Sequence, residues 1–298
     1  MDKLIQCVPN FSEGRDIQKI EKIIDSFRNK DKVKLLDYGY DHYRNRLVAT
    51  VVGAPKEVKN AVLEAIDIAV KLIDMTRHEG GHPRMGAVDV VPFIPVKNMS
   101  MDEVNAISNE VAKEVSEKYS LPVFLYEESA SAKHRVNIAS VRKGEFEGMA
   151  KKMKDAQWKP DFGPDKPHKT AGCVAIGARK LLIAYNVNLN TSNMDVATAI
   201  AKKVRHIGGG LRYCKAMGYE IKERSITQVS MNLTDYTQTS IYQAHEMVRM
   251  EAKRYGVSVI GAEIVGLVPM QALIDTTEYY LGLENFSNDQ VLENSIME

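Results

Sequence analysis

Apolar residues recur along this chain with two spacings, one near 3.6 and one near 2, and the switches between them predict its elements. Residues 4–8 read as a short strand, broken by the turn-forming stretch Pro9 to Arg15. A helix follows over 17–27, with Asp16 as its cap and Ile17, Ile20, Ile23, Ile24 and Phe27 at helical spacing. Strands are predicted over 33–38 and 46–52, joined as a hairpin through a polar turn. Pro55 then opens a helix over 55–75 at its first-turn position. The nearly all-apolar run 87–95 reads as a strand buried on both faces. A helix over 100–118 has Ser100 and Glu103 at capping-box spacing, and residues 123–126 form another strand. The charged segment 135–154 reads as one helix lying outside. Residues 155–169 carry Trp158, Pro160, Gly163, Pro164 and Pro167 and cannot be helix or central strand.

After a strand over 173–176 the pattern repeats. A strand over 181–188 leads to a helix over 195–205 capped by Asp195. Strands over 213–217 and 226–233, a helix over 240–255, a strand over 257–263 and a helix over 269–281 complete it. The polar tail from 284 is expected to fray. Both halves give strand, helix, strand, strand, helix, strand. The expected fold class is α/β (α+β): two ferredoxin-like βαββαβ subdomains with mixed or antiparallel sheets covered by helices. The boundaries are 1–180 and 181–298.

Composition narrows the function. Forty basic residues against thirty-nine acidic leave a formal charge of +1 in 298 residues. That argues against nucleic acid as a partner, while allowing a local basic pocket for an anion. No apolar run reaches the roughly 18 residues of a membrane span, and the N-terminus has no signal-peptide core. Cys7, Cys173 and Cys214 are far apart, as in a protein of the reducing cytoplasm, and read as small buried hydrophobes.

The densest chemistry lies in Arg77-His78-Glu79-Gly80-Gly81-His82-Pro83-Arg84-Met85-Gly86-Ala87-Val88-Asp89. Its His78-Glu79-Gly80-Gly81-His82 fits H-E-x-x-H, a zinc signature that requires a helix to align both imidazoles. Two glycines cost about 2 kcal/mol in a helix, and Pro83 biases His82 away from helical geometry. No metal is expected. A catalytic loop using one histidine as acid and base fits better.

The stretches Cys7 to Gly14, Leu72 to Met75, Arg77-His78, His82 to Ala87, Asp161 to Pro164, Gly177 to Ala184 and Val265 to Pro269 are collinear over residues 4 to 280. Together they resemble the formiminotransferase domain of formiminotransferase-cyclodeaminase and its single-domain bacterial relatives. The resemblance implies transfer of a formimino group between N-formimino-L-glutamate and tetrahydrofolate, in histidine degradation and one-carbon metabolism. It implies two subdomains with substrates between them, a cytoplasmic homodimer, and tetrahydrofolate as co-substrate. It also implies His82 as the general acid/base. The chain ends where the cyclodeaminase domain would begin, so that activity is not expected.

The family's folate-contacting segment falls on Gly163, Pro164, Asp165, Lys166, Pro167, His168, Lys169, Thr170, Ala171 and Gly172, where this chain departs from better-known members. Asn10, Arg46, Arg84 and Arg179 are the further substrate-binding candidates, because both substrates carry carboxylates that call for fixed cations. Glu79 and Asp89 are alternative partners to orient His82, and His78 is expected to support the loop. Formyl transfer between 5-formyltetrahydrofolate and L-glutamate is the alternative reaction, since the two groups differ mainly by NH versus O.

Overall fold

The computed structural model describes residues 3–297, and the chain divides between Arg179 and Lys180 into two compact units. In the first, strands β1 (Leu4–Cys7) and β2 (Asn10–Phe11) share one slot, interrupted at Val8–Pro9. Helix α1 (Ile17–Asp25) follows. Its first-turn N–H groups at Gln18 and Lys19 donate to the Asp16 carboxylate, and Ile20, Ile23 and Ile24 form its buried stripe. Strands β3 (Val33–Asp41) and β4 (Arg46–Gly53) form the expected hairpin. Helix α2 (Pro55–Leu72) starts on Pro55, and the loop 73–87 leads into β5 (Val88–Lys97).

The seven-stranded sheet of this unit has the order β3, β4, β1/β2, β5, with antiparallel neighbours. The parallel strands β6 (Val123–Leu125) and β7 (Val174–Ala178) extend it beyond β5, in the order β5, β7, β6. Helix α3 (Met101–Tyr119) is held at its start by the reciprocal Ser100–Glu103 capping box. One core contains Phe11, Leu47, Val91 and Phe93 against α1, α2 and α3. A smaller core around Met85, Val90, Phe124, Tyr126 and Met149 lies elsewhere in the unit. Residues of β5 therefore belong to two cores, as its nearly all-apolar run requires.

The segment read as one helix over 135–154 is two: α4 (Ile138–Arg142) and α5 (Glu145–Lys152). Gly144, at φ +100°, breaks the helix between them. The break lets Val141 and Met149 both enter the smaller core, so the segment is less external than its charge suggests.

The second unit runs β8 (Ile183–Leu189), α6 (Met194–Val204), β9 (Cys214–Ile221), β10 (Ile226–Leu233), α7 (Ile241–Lys253), β11 (Val259–Val265) and α8 (Met270–Leu281). Its four strands lie in the order β11, β8, β10, β9, all antiparallel. The βαββαβ order thus appears in both units, and corresponding strands occupy corresponding places. Two details differ from the sequence reading. Asn193, not Asp195, caps α6, its side chain accepting from the Asp195 N–H, while Asp195 sits in the first turn. The tail is not frayed throughout, since Leu292–Met297 forms helix α9.

Candidate active site

Loop 73–87 is not a helix beyond the single turn Met75–Arg77, so His78 and His82 are not presented on one helical face. The loop is pinned to the β3–β4 turn. Asn45 Nδ2 donates to the Glu79 carbonyl at 3.0 Å, and the Gly81 N–H donates to the Tyr43 carbonyl at 3.1 Å. Gly80 packs so closely that a Cβ would lie 2.3 Å from the Arg44 carbonyl oxygen. The double glycine that weakens the zinc reading is what lets two backbones meet here.

His82 Nε2 accepts a hydrogen bond of 2.6 Å from Arg46 Nη1, and Arg46 Nη2 donates to Asn10 Oδ1. A guanidinium only donates, so the neutral ring carries its proton on Nδ1. That nitrogen is buried and has no hydrogen-bond partner, as is also true of Arg46 Nε. Burial first, then the Arg46 and Arg142 charges, lower the His82 pKa to about 2. Burial, reinforced by Arg142, also lowers Arg46 to about 10.

Neither acid expected to orient His82 does so through a hydrogen bond. Buried Asp89 accepts from the Met85 N–H at 3.1 Å and from Arg142 Nη2 at 2.5 Å. Glu79 contributes its backbone carbonyl to the loop–turn contact. The polar group on the ring is a cation. His78 supports the loop through both nitrogens: Nδ1 accepts from Arg84 Nε at 3.1 Å, leaving Nε2 to donate to the Asn45 carbonyl at 3.0 Å.

The other candidates sort by their partners. Asn10 and Arg46 join His82. Arg84 does not: its guanidinium donates to Glu145, Glu147, His78 Nδ1 and the His78 carbonyl, which removes it from the free cations. Arg179 places its charge near buried Cys7 and Tyr126 instead. A cleft of about 460 Å³ is lined by His78, Glu79, Gly80, Arg84, Gly144, Glu145 and Glu147. Its acidic wall disfavours a carboxylate ligand, and His82 does not line it.

The segment Gly163–Gly172 is tied to the same loop. The His168 and Gly172 backbones exchange hydrogen bonds, and His168 Nδ1 accepts from the Ala171 N–H at 3.0 Å. The Ala87 N–H donates to the Ala171 carbonyl, the Cys173 N–H to Met85, and the Met75 N–H to Thr170. Gly86 pairs with Gly172, and a Cβ on Gly86 would sit 2.1 Å from the Cys173 carbonyl oxygen. Lys166 and Lys169 are exposed. Pro164 and Pro167 are half-buried, Asp165 pairs with Lys159, and Gly163 has φ +94°.

Residues 4–179 match the family model for the formiminotransferase domain, N-terminal subdomain, and residues 184–297 match that for the formiminotransferase domain. The chain belongs to the formiminotransferase family. A Streptococcus pyogenes protein named glutamate formimidoyltransferase is 46% identical, with all of both chains covered. A Thermoplasma acidophilum protein of the same name is 45% identical over 98% of this chain and 97% of its own. A Dictyostelium discoideum formimidoyltransferase-cyclodeaminase is 43% identical, and the match covers 98% of this chain but 56% of that one.

In this formiminotransferase-family chain, sequence reading missed Arg142. It lies in the segment taken for an outer helix, and its partner Asp89 is distant in sequence. The only local hint was the helix-breaking Lys143-Gly144 step beside it. Among the described residues, no group of His, Cys, Asp and Glu is arranged to hold a metal ion.

Proposed function

We propose that this chain transfers a formimino group between N-formimino-L-glutamate and tetrahydrofolate, with His82 as general acid and base. The full-length likeness to relatives named glutamate formimidoyltransferase carries the reading. The reaction calls for a single proton carrier. A secondary amine of the folate attacks the amidine carbon and gives its proton to the imidazole as the new bond forms. The imidazolium returns that proton to the departing glutamate nitrogen as the old bond breaks. One group with an ordinary pKa of about 6.5 serves both half-steps.

The reading assigns Asn10 and Arg46 to the amino-acid substrate and residues 163–172 to the folate, with Lys166 and Lys169 offered to its glutamate tail. Arg179 remains a candidate for a more distant carboxylate. The two units then correspond to N- and C-terminal subdomains, and the protein works as a cytoplasmic homodimer. No described helix is long and apolar enough to cross a membrane.

The test is turnover of purified protein with tetrahydrofolate plus formiminoglutamate, and separately with 5-formyltetrahydrofolate plus glutamate, each with and without chelator. Turnover of the first pair, insensitive to chelator, is expected. Turnover of the formyl pair alone would replace the proposed reaction with formyl transfer.

A further inference from the structure

We propose that Arg46 is a substrate-operated latch on His82: its guanidinium blocks the basic nitrogen of the imidazole until the α-carboxylate of the amino-acid substrate draws it away. The inference rests on the function proposed above and adds how the base is armed.

A neutral imidazole has one lone pair in its ring plane. Here it lies on Nε2 and is engaged by Arg46 Nη1 at 2.6 Å. A base engaged in this way cannot accept the proton of an attacking amine. The ring must therefore be released from Arg46 before it can work.

Two observations point to the releasing agent. Arg46 Nε and His82 Nδ1 are buried donors without partners, so both members of the pair keep a donor that a ligand acceptor would satisfy. A carboxylate would also be a better acceptor for Arg46, because Nε and an Nη together form the fork that it fills. Its present acceptors are a ring nitrogen and the uncharged Asn10 amide oxygen.

The charges around the ring are one-sided. Arg46 on β4, Arg142 on α4 and Arg44 in the β3–β4 turn all act against protonation of His82. Asp89 and Asp41 act on Arg46, but Asp89 is held by Arg142 and Asp41 is close to Arg44. A ligand carboxylate would supply the negative charge that the site lacks.

The chemistry of the substrate selects which carboxylate. In formiminoglutamate the α-carboxylate is bonded to the carbon bearing the formimino nitrogen. A substrate that brings that nitrogen to His82 therefore brings its α-carboxylate to Arg46. Once Arg46 turns to it, the Nε2 lone pair is free, the nearest cation is paired, and the imidazole gains proton affinity. It can then take the proton of the folate amine and pass it to the glutamate nitrogen.

The experiment is nitrogen NMR of ¹⁵N-histidine-labelled enzyme, with the His82 signals identified from the spectrum of His82→Gln. In the substrate-free wild type, Nε2 is expected to be unprotonated and His82 not to titrate between about pH 5 and 8. With saturating L-glutamate, the Nε2 signal is expected to shift and to titrate inside that range. Arg46→Gln should titrate there without ligand, and its KM for formiminoglutamate should rise roughly tenfold to a hundredfold. Ordinary titration of His82 in the free wild type would overturn the latch. So would an Nε2 signal unmoved by glutamate in an enzyme that turns over formiminoglutamate. Absence of that turnover in the wild type is a different failure, since it removes the function on which the latch rests.

Discussion

The two units have the same strand order and differ in what is attached to it. In each, two helices and four antiparallel strands follow as βαββαβ, with the fourth strand beside the first. In the first unit that fourth strand, β5, is flanked by β7 and buried from Val88 to Ile94. In the second unit the equivalent strand, β11, is a sheet edge and mostly exposed. Their sequences follow suit: β5 is mostly apolar, with Asp89 and Lys97 its two charged residues, while β11 carries Gly261 and Glu263. The connection before that strand differs more. In the second unit α7 passes to β11 through the short stretch 254–258. In the first, the corresponding connection is the loop 73–87 that holds His78 and His82. The scaffold recurs, and the long loop with His78 and His82 stands in the crossover of the first unit.

If that contrast is right, perturbing the long loop should cost far more than perturbing matched features of the second unit. The largest expected effect is on catalysis. His82→Ala should lower kcat by roughly 10²–10⁴-fold while tetrahydrofolate still binds, whereas His245→Ala in the second unit should leave kcat within a fewfold. Steady-state kinetics with a folate-binding assay reads both. Comparable losses for the two would show that the first unit does not hold the chemistry alone.

The next effect is on stability. Arg142→Ala strands the buried Asp89 carboxylate without its cation and should cost about 3–5 kcal/mol. The exposed Arg249–Glu246 pair on α7 is the control, and Arg249→Ala should cost less than about 1 kcal/mol. Urea denaturation measures the difference, and equal midpoint shifts would sink the distinction between the two pairs.

Glycines sharpen the contrast further. Gly86→Ala drives a Cβ into the Cys173 carbonyl and should cost about 1–3 kcal/mol, parting the loop from the 168–173 hairpin. Gly261→Ala in β11 meets only an ordinary contact at 3.9 Å and should shift stability by less than about 0.5 kcal/mol. Thermal melts of the two variants should separate clearly.

The last effect is a pH slope. His82 has a folded pKa of about 2, below its unfolded value of 6.5, so the unfolded chain binds its proton first as pH falls. The stability this confers is complete above about pH 6.5 and is lost as pH falls toward 2, by at most about 1.4 kcal/mol per unit. His82→Gln should flatten the wild-type slope between pH 6.5 and 4.5. An unchanged slope would mean that the folded ring takes up its proton normally.

Much of this was legible in the chain. Ile20, Ile23 and Ile24 announce α1, Ser100 and Glu103 announce the start of α3, and Pro55 announces that of α2, because each signal is carried within one or two turns of backbone. The collinear motifs led to the family, and the glycines and Pro83 argued against a metal-binding helix. Less legible were the details set by competition between close alternatives. Asn193 took the cap from Asp195, and Gly144 split a segment whose periodicity suited one helix.

The sequence by itself determined the βαββαβ order in each half, and its resemblance to the family pointed to His82. It did so because periodicity, capping and motifs are properties of neighbouring residues. Only the tertiary structure decided what meets His82. Arg46 approaches from β4 and is held by Asn10 of β2, and Arg142 is placed through Asp89. It also decided that Arg84 is already occupied by Glu145 and Glu147. These partners come from separate elements, and strand pairing and loop packing bring them together. An expectation of one carboxylate behind the histidine gave way to a guanidinium in front of it, because which charge faces a buried ring depends on geometry that no local pattern encodes.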